Sequence, residues 1–275
     1  MTENNFEMKK QPVVNILEKI QQGMSFAEAM AEVPAAAFIH RPGCLCCSDG
    51  RFSPESQTLD KEGMAGQGVL LLFSETELND FIAKLKNNSE APQLIASHEG
   101  CGAAAIAFKA IKELMAKDDD KEVARIFAFL GISQLPATAD ELGIIYTKRL
   151  AEMVGIDYGH MNLPEDKTEH NESGIIVTDI DFDESFVEID DQQFFNSASP
   201  KLGLSDSYIA TELTKLTEIA FSDHGRLGHH PDENFYLLVI SSPQGAERLK
   251  AIAETVAQNP NFSGRVKVDV FVKNN

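Results

Sequence analysis

Pro92-Gln93-Leu94-Ile95-Ala96-Ser97-His98-Glu99-Gly100-Cys101-Gly102-Ala103-Ala104-Ala105-Ile106-Ala107-Phe108-Lys109-Ala110-Ile111 changes character halfway along. The apolar run ending at Ser97 has the length of a strand, and the alanine-rich run from Gly102 has the spacing of a helix. His98 therefore closes a strand, and Cys101 opens a helix. A thiol at a helix N-terminus meets unpaired N–H groups at the positive end of the macrodipole, which favours its thiolate.

Upstream, Gly68–Phe73 is a continuous apolar run of strand length, and Ser74-Glu75-Thr76-Glu77 caps a helix that continues to about Lys86. Ala35–His40 reads as a first strand, and Phe52–Gln67, with Pro54, Gly63 and Gly66, reads as a loop near a site. The resulting βαβα order implies a parallel sheet flanked by helices, an α/β fold that binds ligands beyond the carboxyl ends of its strands. Before it, Val13–Ile20 and Ser25–Val33 have amphipathic helical spacing, with Ser25 as N-cap and Glu28 following.

Downstream, Lys117–Glu122 is a charge run suited to a solvated helix end, and Ala139–Val154 is a helix. Asp157–Ser173 is polar and rich in turn formers, which marks a mobile loop or a boundary. Gly174–Ile180 reads as a strand with Phe186–Ile189 as its partner. Tyr208–Phe221 and Gln244–Gln258 read as helices, and Asn234–Ser241 and Arg265–Lys273 as strands. This half can lengthen the first sheet or build another. We read one α/β domain over residues 1–275, with a zinc-site core at about 34–117 and a divergent part at about 156–275. No internal repeat is visible.

The chemistry gathers in two short stretches, Cys47-Ser48-Asp49-Gly50-Arg51 and His98-Glu99-Gly100-Cys101-Gly102. Two thiols and an imidazole are a zinc-ligand set that leaves a fourth tetrahedral position for water or substrate. Asp49 and Arg51 stand beside it as a charged pair: Asp49 either accepts a hydrogen bond from water at that position or turns inward to occupy it, and Arg51, whose fork can hold both carboxylate oxygens, selects between the two.

Cys-x-Asp-x-Arg followed by His-x-x-Cys-Gly resembles the paired motifs of the beta-class carbonic anhydrases, over roughly residues 36–115. The resemblance implies a beta-carbonic-anhydrase-like core with an extended C-terminal half. It makes Cys47, His98 and Cys101 the zinc ligands and Asp49 and Arg51 the catalytic dyad. It further implies a lyase that hydrates carbon dioxide to bicarbonate, working as a homodimer or higher homo-oligomer in which an N-terminal helix embraces the second subunit. Gly50 stands where the family usually has Ser, and Arg41-Pro42-Gly43-Cys44-Leu45-Cys46 precedes the motif in place of a plain apolar strand. Relatives of that fold that hydrolyse carbonyl sulfide or carbon disulfide give one alternative, and a non-catalytic zinc protein gives another.

Composition narrows the partners. A formal net charge of −19 repels nucleic acid and anionic membrane surfaces. The polar N-terminal stretch and the absence of a spanning apolar run lead us to expect a cytoplasmic protein acting on a small molecule. Four cysteines, all before Gly102, read as thiols in a reducing compartment. Cys44 and Cys46 lie outside the motif register and read as buried structural thiols, with a redox role alongside Cys47 as the alternative. His224, His229 and His230, with Asp223 and Asp232, read as a solvated polar loop, with metal binding or proton shuttling as the rarer case. His40 and His160 have no evident partner in the sequence.

Overall fold

The computed structural model describes residues 14–40, 43–49, 60–88, 91–161, 170–187, 193–223 and 225–274. The chain enters through α1 (Ile16–Gln21), capped by Asn15, and α2 (Phe26–Met30), opened by a capping box between Ser25 and Glu28. Strand β1 (Gly43–Cys46) is followed by β2 (Asp60–Gly63), α3 (Glu75–Asn87), β3 (Leu94–His98), α4 (Gly102–Ala116), α5 (Asp120–Leu130), α6 (Ala139–Val154) and β4 (Asp157–Met161). The second half runs through β5 (Glu172–Thr178), β6 (Gln193–Ser197), α7 (Asp206–Ala220), α8 (Arg226–His229), β7 (Phe235–Ser241), α9 (Ala246–Ala257) and β8 (Val266–Val272).

Four expectations change. Ala35–Phe38 forms a short 3-10 turn and not a strand, since an Ala-Ala-Ala-Phe run after Pro34 has no β-branched residue to hold it extended. Gly68–Phe73 likewise belongs to a 3-10 segment, Ala65–Phe73, because left-handed backbone at Gly66, Gln67 and Gly68 coils the chain before its apolar run begins. Within the expected loop and boundary lie the strands β2 and β4, both polar edge strands that alternation of apolar residues does not reveal. The partner of β5 is β6, while Glu184–Phe186 makes a 3-10 turn.

Every strand pairing among the described residues is parallel. The sheets have the orders β2-β1-β3-β4 and β6-β5-β7-β8, so the C-terminal half builds a sheet of its own with the strand sequence of the first. One apolar core serves both: Leu45 and Ile95 from the first sheet and Ile175, Val177, Leu237 and Val239 from the second pack with α3, α4, α6, α7 and α9. The opposite face of the second sheet is covered by α1 and α2, through Ile16, Leu17, Phe26 and Met30 against Ile176, Leu238 and Ile240.

The two halves join where β2 meets β6. Ala198 N–H donates to the Gly63 carbonyl (2.7 Å), Gly63 N–H to Asn196 Oδ1 (3.0 Å), and Asn196 N–H to the Ser48 carbonyl (2.9 Å). Lys61 crosses the same seam to Glu184 at 3.0 Å, with side chains 3% and 5% exposed. Its ammonium also donates to the Asp49 carbonyl at 2.9 Å. Breaking a buried pair from one side strands the other charge, so Lys61→Met should cost about 3–5 kcal/mol at neutral pH, measured by urea unfolding. Burial holds the Glu184 pKa above the usual carboxylate range, against the pull of Lys61. A carboxyl with a raised folded pKa favours the folded state at low pH, so the deficit of the variant should shrink on acidification.

Candidate metal centre

The site is assembled at the carboxyl ends of β1 and β3. Leu45 pairs with Ile95 in parallel register, which brings the residues just beyond both strands to one edge of the sheet. Cys47 follows β1, His98 ends β3, and Cys101 is the N-cap of α4. All three are buried, at 4%, 2% and 5% exposure, and their ligand atoms lie within 4.8 Å of one another. The sulfurs of Cys47 and Cys101 are 3.8 Å apart. Two metal–sulfur bonds of about 2.3 Å at a tetrahedral angle span about 3.8 Å, so the donor set fits a tetrahedral cation without rearranging the sulfurs.

Each ligand is oriented by backbone. His98 Nδ1 lies 2.6 Å from the Glu99 carbonyl, and a proton donated there leaves the Nε2 lone pair for the metal. Gly66 N–H donates to Cys47 Sγ at 3.4 Å. Gly66 sits at φ 54°, and a β-carbon on it would come within 2.7 Å of Val69 and 3.4 Å of the Cys101 sulfur, so glycine is required where this loop passes under the thiols. From the second half, Glu212 accepts from Ala65 N–H (2.6 Å) and Ser197 Oγ (2.7 Å), which anchors the same loop.

At that separation one thiol can donate a hydrogen bond to the other. The hydrogen bond from Cys101 holds Cys47 well below the usual thiol range despite its burial, and His98 adds to the effect. The same bond, together with burial, pushes Cys101 well above it. Burial acts to lower the His98 pKa, but the neighbouring Cys47 thiolate and Asp49 outweigh it and the pKa rises. A cation binding both sulfurs would displace the Cys101 proton, and the raised His98 pKa adds to the proton release.

Asp49 is 2% exposed, and its carboxylate groups with His170 and Glu172, again within 4.8 Å of one another. His170 Nδ1 is 3.1 Å from Glu172 Oε2. Sequence reading misses both residues, because only the folding of the second sheet carries them to Asp49 and neither lies in a motif. Arg51, like His224, lies outside the described residues. Cys44 and Cys46 pack with Ala96 on the other face of β1, away from the Cys47–Cys101 pair. His229 and His230 are exposed, bonded within their own loop to the Asp223 carbonyl and facing Glu233. His40 pairs with Asp181 at 3.2 Å, and His160 with Ser97 at 2.8 Å. No helix among the described residues is long and apolar enough to cross a membrane.

Calorimetric titration with zinc in buffers of different ionisation enthalpy should show release of on the order of one to two protons per ion near neutral pH. Affinity should rise with pH, since the raised Cys101 thiol has to ionise first, and Cys47→Ser should abolish tight uptake. Comparison with protein-family models, curated proteins and solved structures finds no match to this chain.

Proposed function

We propose that the chain is a zinc enzyme that hydrates carbon dioxide to bicarbonate. The observation that carries this reading is a buried Cys47-His98-Cys101 group with the Asp49 carboxylate close enough to act on Cys47 and His98 and grouped with His170 and Glu172. The residue types and their order are those of the beta-class carbonic anhydrase motifs, and two thiolates with one imidazole suit zinc.

When bound, zinc supplies the Lewis acidity that makes water nucleophilic near neutral pH. Hydration joins the oxygen of a water to the carbon of carbon dioxide and releases one proton. The chain's own task is to orient that water and to carry the proton away. Asp49, held from behind by the Lys61 bond to its carbonyl, accepts a hydrogen bond from the water and aligns a lone pair with the substrate carbon. His170, about one-eighth exposed at its side chain and paired with Glu172, connects Asp49 towards solvent. Arg51 completes the dyad by the resemblance alone.

Stopped-flow hydration assays with metal analysis decide the matter, run beside carbonyl sulfide as a rival substrate. The wild-type chain should turn over carbon dioxide, and Cys47→Ser should lose zinc and activity together; unchanged turnover in that variant removes the proposal. Asp49→Asn should keep its zinc and lose about 10²-fold or more in kcat. His170→Ala should lower kcat while sparing kcat/KM, with recovery in imidazole buffer.

A further inference from the structure

The second sheet repeats the first in strand order, in parallel pairing and in the face it turns to the shared core, and this permits a residue-by-residue equivalence. Leu45 pairs with Ile95, and Val177 pairs with Val239, all four pointing into the same core. The same sequence distance separates Ile95 from Cys101 as Val239 from Gly245, and these two residues are the N-caps of α4 and α9. Counting from those anchors, Cys47 corresponds to Asp179, His98 to Ser242 and Cys101 to Gly245.

Those three counterparts also meet. Asp179 Oδ1 accepts from Ser242 N–H at 3.0 Å and Oδ2 from Ser242 Oγ at 3.1 Å, while Gly245 N–H donates to Ser242 Oγ at 3.2 Å. A β-carbon built on Gly245 would lie 1.8 Å from Asp179 Oδ2. The carboxylate therefore occupies the place where the side chain of the second thiol would begin. It accepts hydrogen bonds at the head of α9, where a negative charge is favoured by the helix dipole.

We propose that the C-terminal half is a repeat of the metal-bearing half whose own metal position has been given up to the Asp179 carboxylate. It persists as the fixed scaffold that braces the one remaining centre through Asn196, Glu184 and Glu212. Of the two equivalent positions, the Cys47-His98-Cys101 centre alone holds a cation. The identity of the lost ligands rests on the metal reading of Cys47, His98 and Cys101, whereas the repeat itself rests on register and caps.

The test restores the ligands. The full chain carrying Asp179→Cys, Ser242→His and Gly245→Cys together is compared with its parent by zinc content in native mass spectrometry, with and without Cys47→Ser. The triple variant should bind two ions where the parent binds one, and one where Cys47→Ser alone binds none. A folded triple variant that gains no ion in either background overturns the proposal. A parent that binds none beside a triple variant that binds one would sink the reading of the first centre and leave the repeat standing. A thermal-melting cycle covers the case in which the triple variant does not fold. Gly245→Ala should lower the midpoint with Asp179 present, and at least half of that loss should vanish in the Asp179→Ala background; equal losses in both backgrounds overturn the plug.

Discussion

The parallel register of β1 on β3 is the constraint on which the remaining structure depends. Leu45 against Ile95 sets where both strands end, and the residues that follow have no freedom to be anywhere but side by side. A slip of one residue would turn Leu45 out of the core and carry Cys47 away from Cys101, because successive side chains on a strand face opposite ways. Burial of Leu45 and Ile95, both fully inaccessible, thus fixes the spacing of two sulfurs that neither residue touches through polar contact.

Around that register the C-terminal half acts as a buttress. Its edge strand shares backbone hydrogen bonds with Ser48 and Gly63, its Glu184 balances Lys61, and its Glu212 holds the loop beneath the thiols. These groups are polar and buried, and they meet across the seam between the halves, a combination that favours one arrangement over near alternatives. Loss of any single partner leaves another group stranded in a low-dielectric interior. The site is therefore distributed over the chain although its ligands occupy two short stretches.

What was legible in the sequence follows from the same physics. The β3–α4 junction, the Ser74 and Ser25 caps, α6 and the apolar strands β5, β7 and β8 announce themselves through length, periodicity and capping residues. Strands β2 and β4 do not, since Asp60-Lys61-Glu62-Gly63 and Asp157-Tyr158-Gly159-His160-Met161 take their conformation from a neighbour's unpaired backbone and not from their own side chains. The Cys47-His98-Cys101 group was legible because a metal-binding pattern restricts residue type and spacing together. The repeat was not, because Asp179, Ser242 and Gly245 keep the geometry while sharing no residue type with Cys47, His98 and Cys101. His170 and Glu172 depend on tertiary placement alone.

The depth of the ligands has a kinetic side. With Cys47, His98 and Cys101 each about a twentieth exposed or less, a cation held among them would have little direct contact with solvent. Among the described residues the left-handed turn at Gly66–Gly68 lies against the sulfurs, pinned by Glu212 from the far half, and its local opening would speed exchange of such a cation. Retention time would then be governed by the lifetime of that turn more than by the strength of the bonds to the ion.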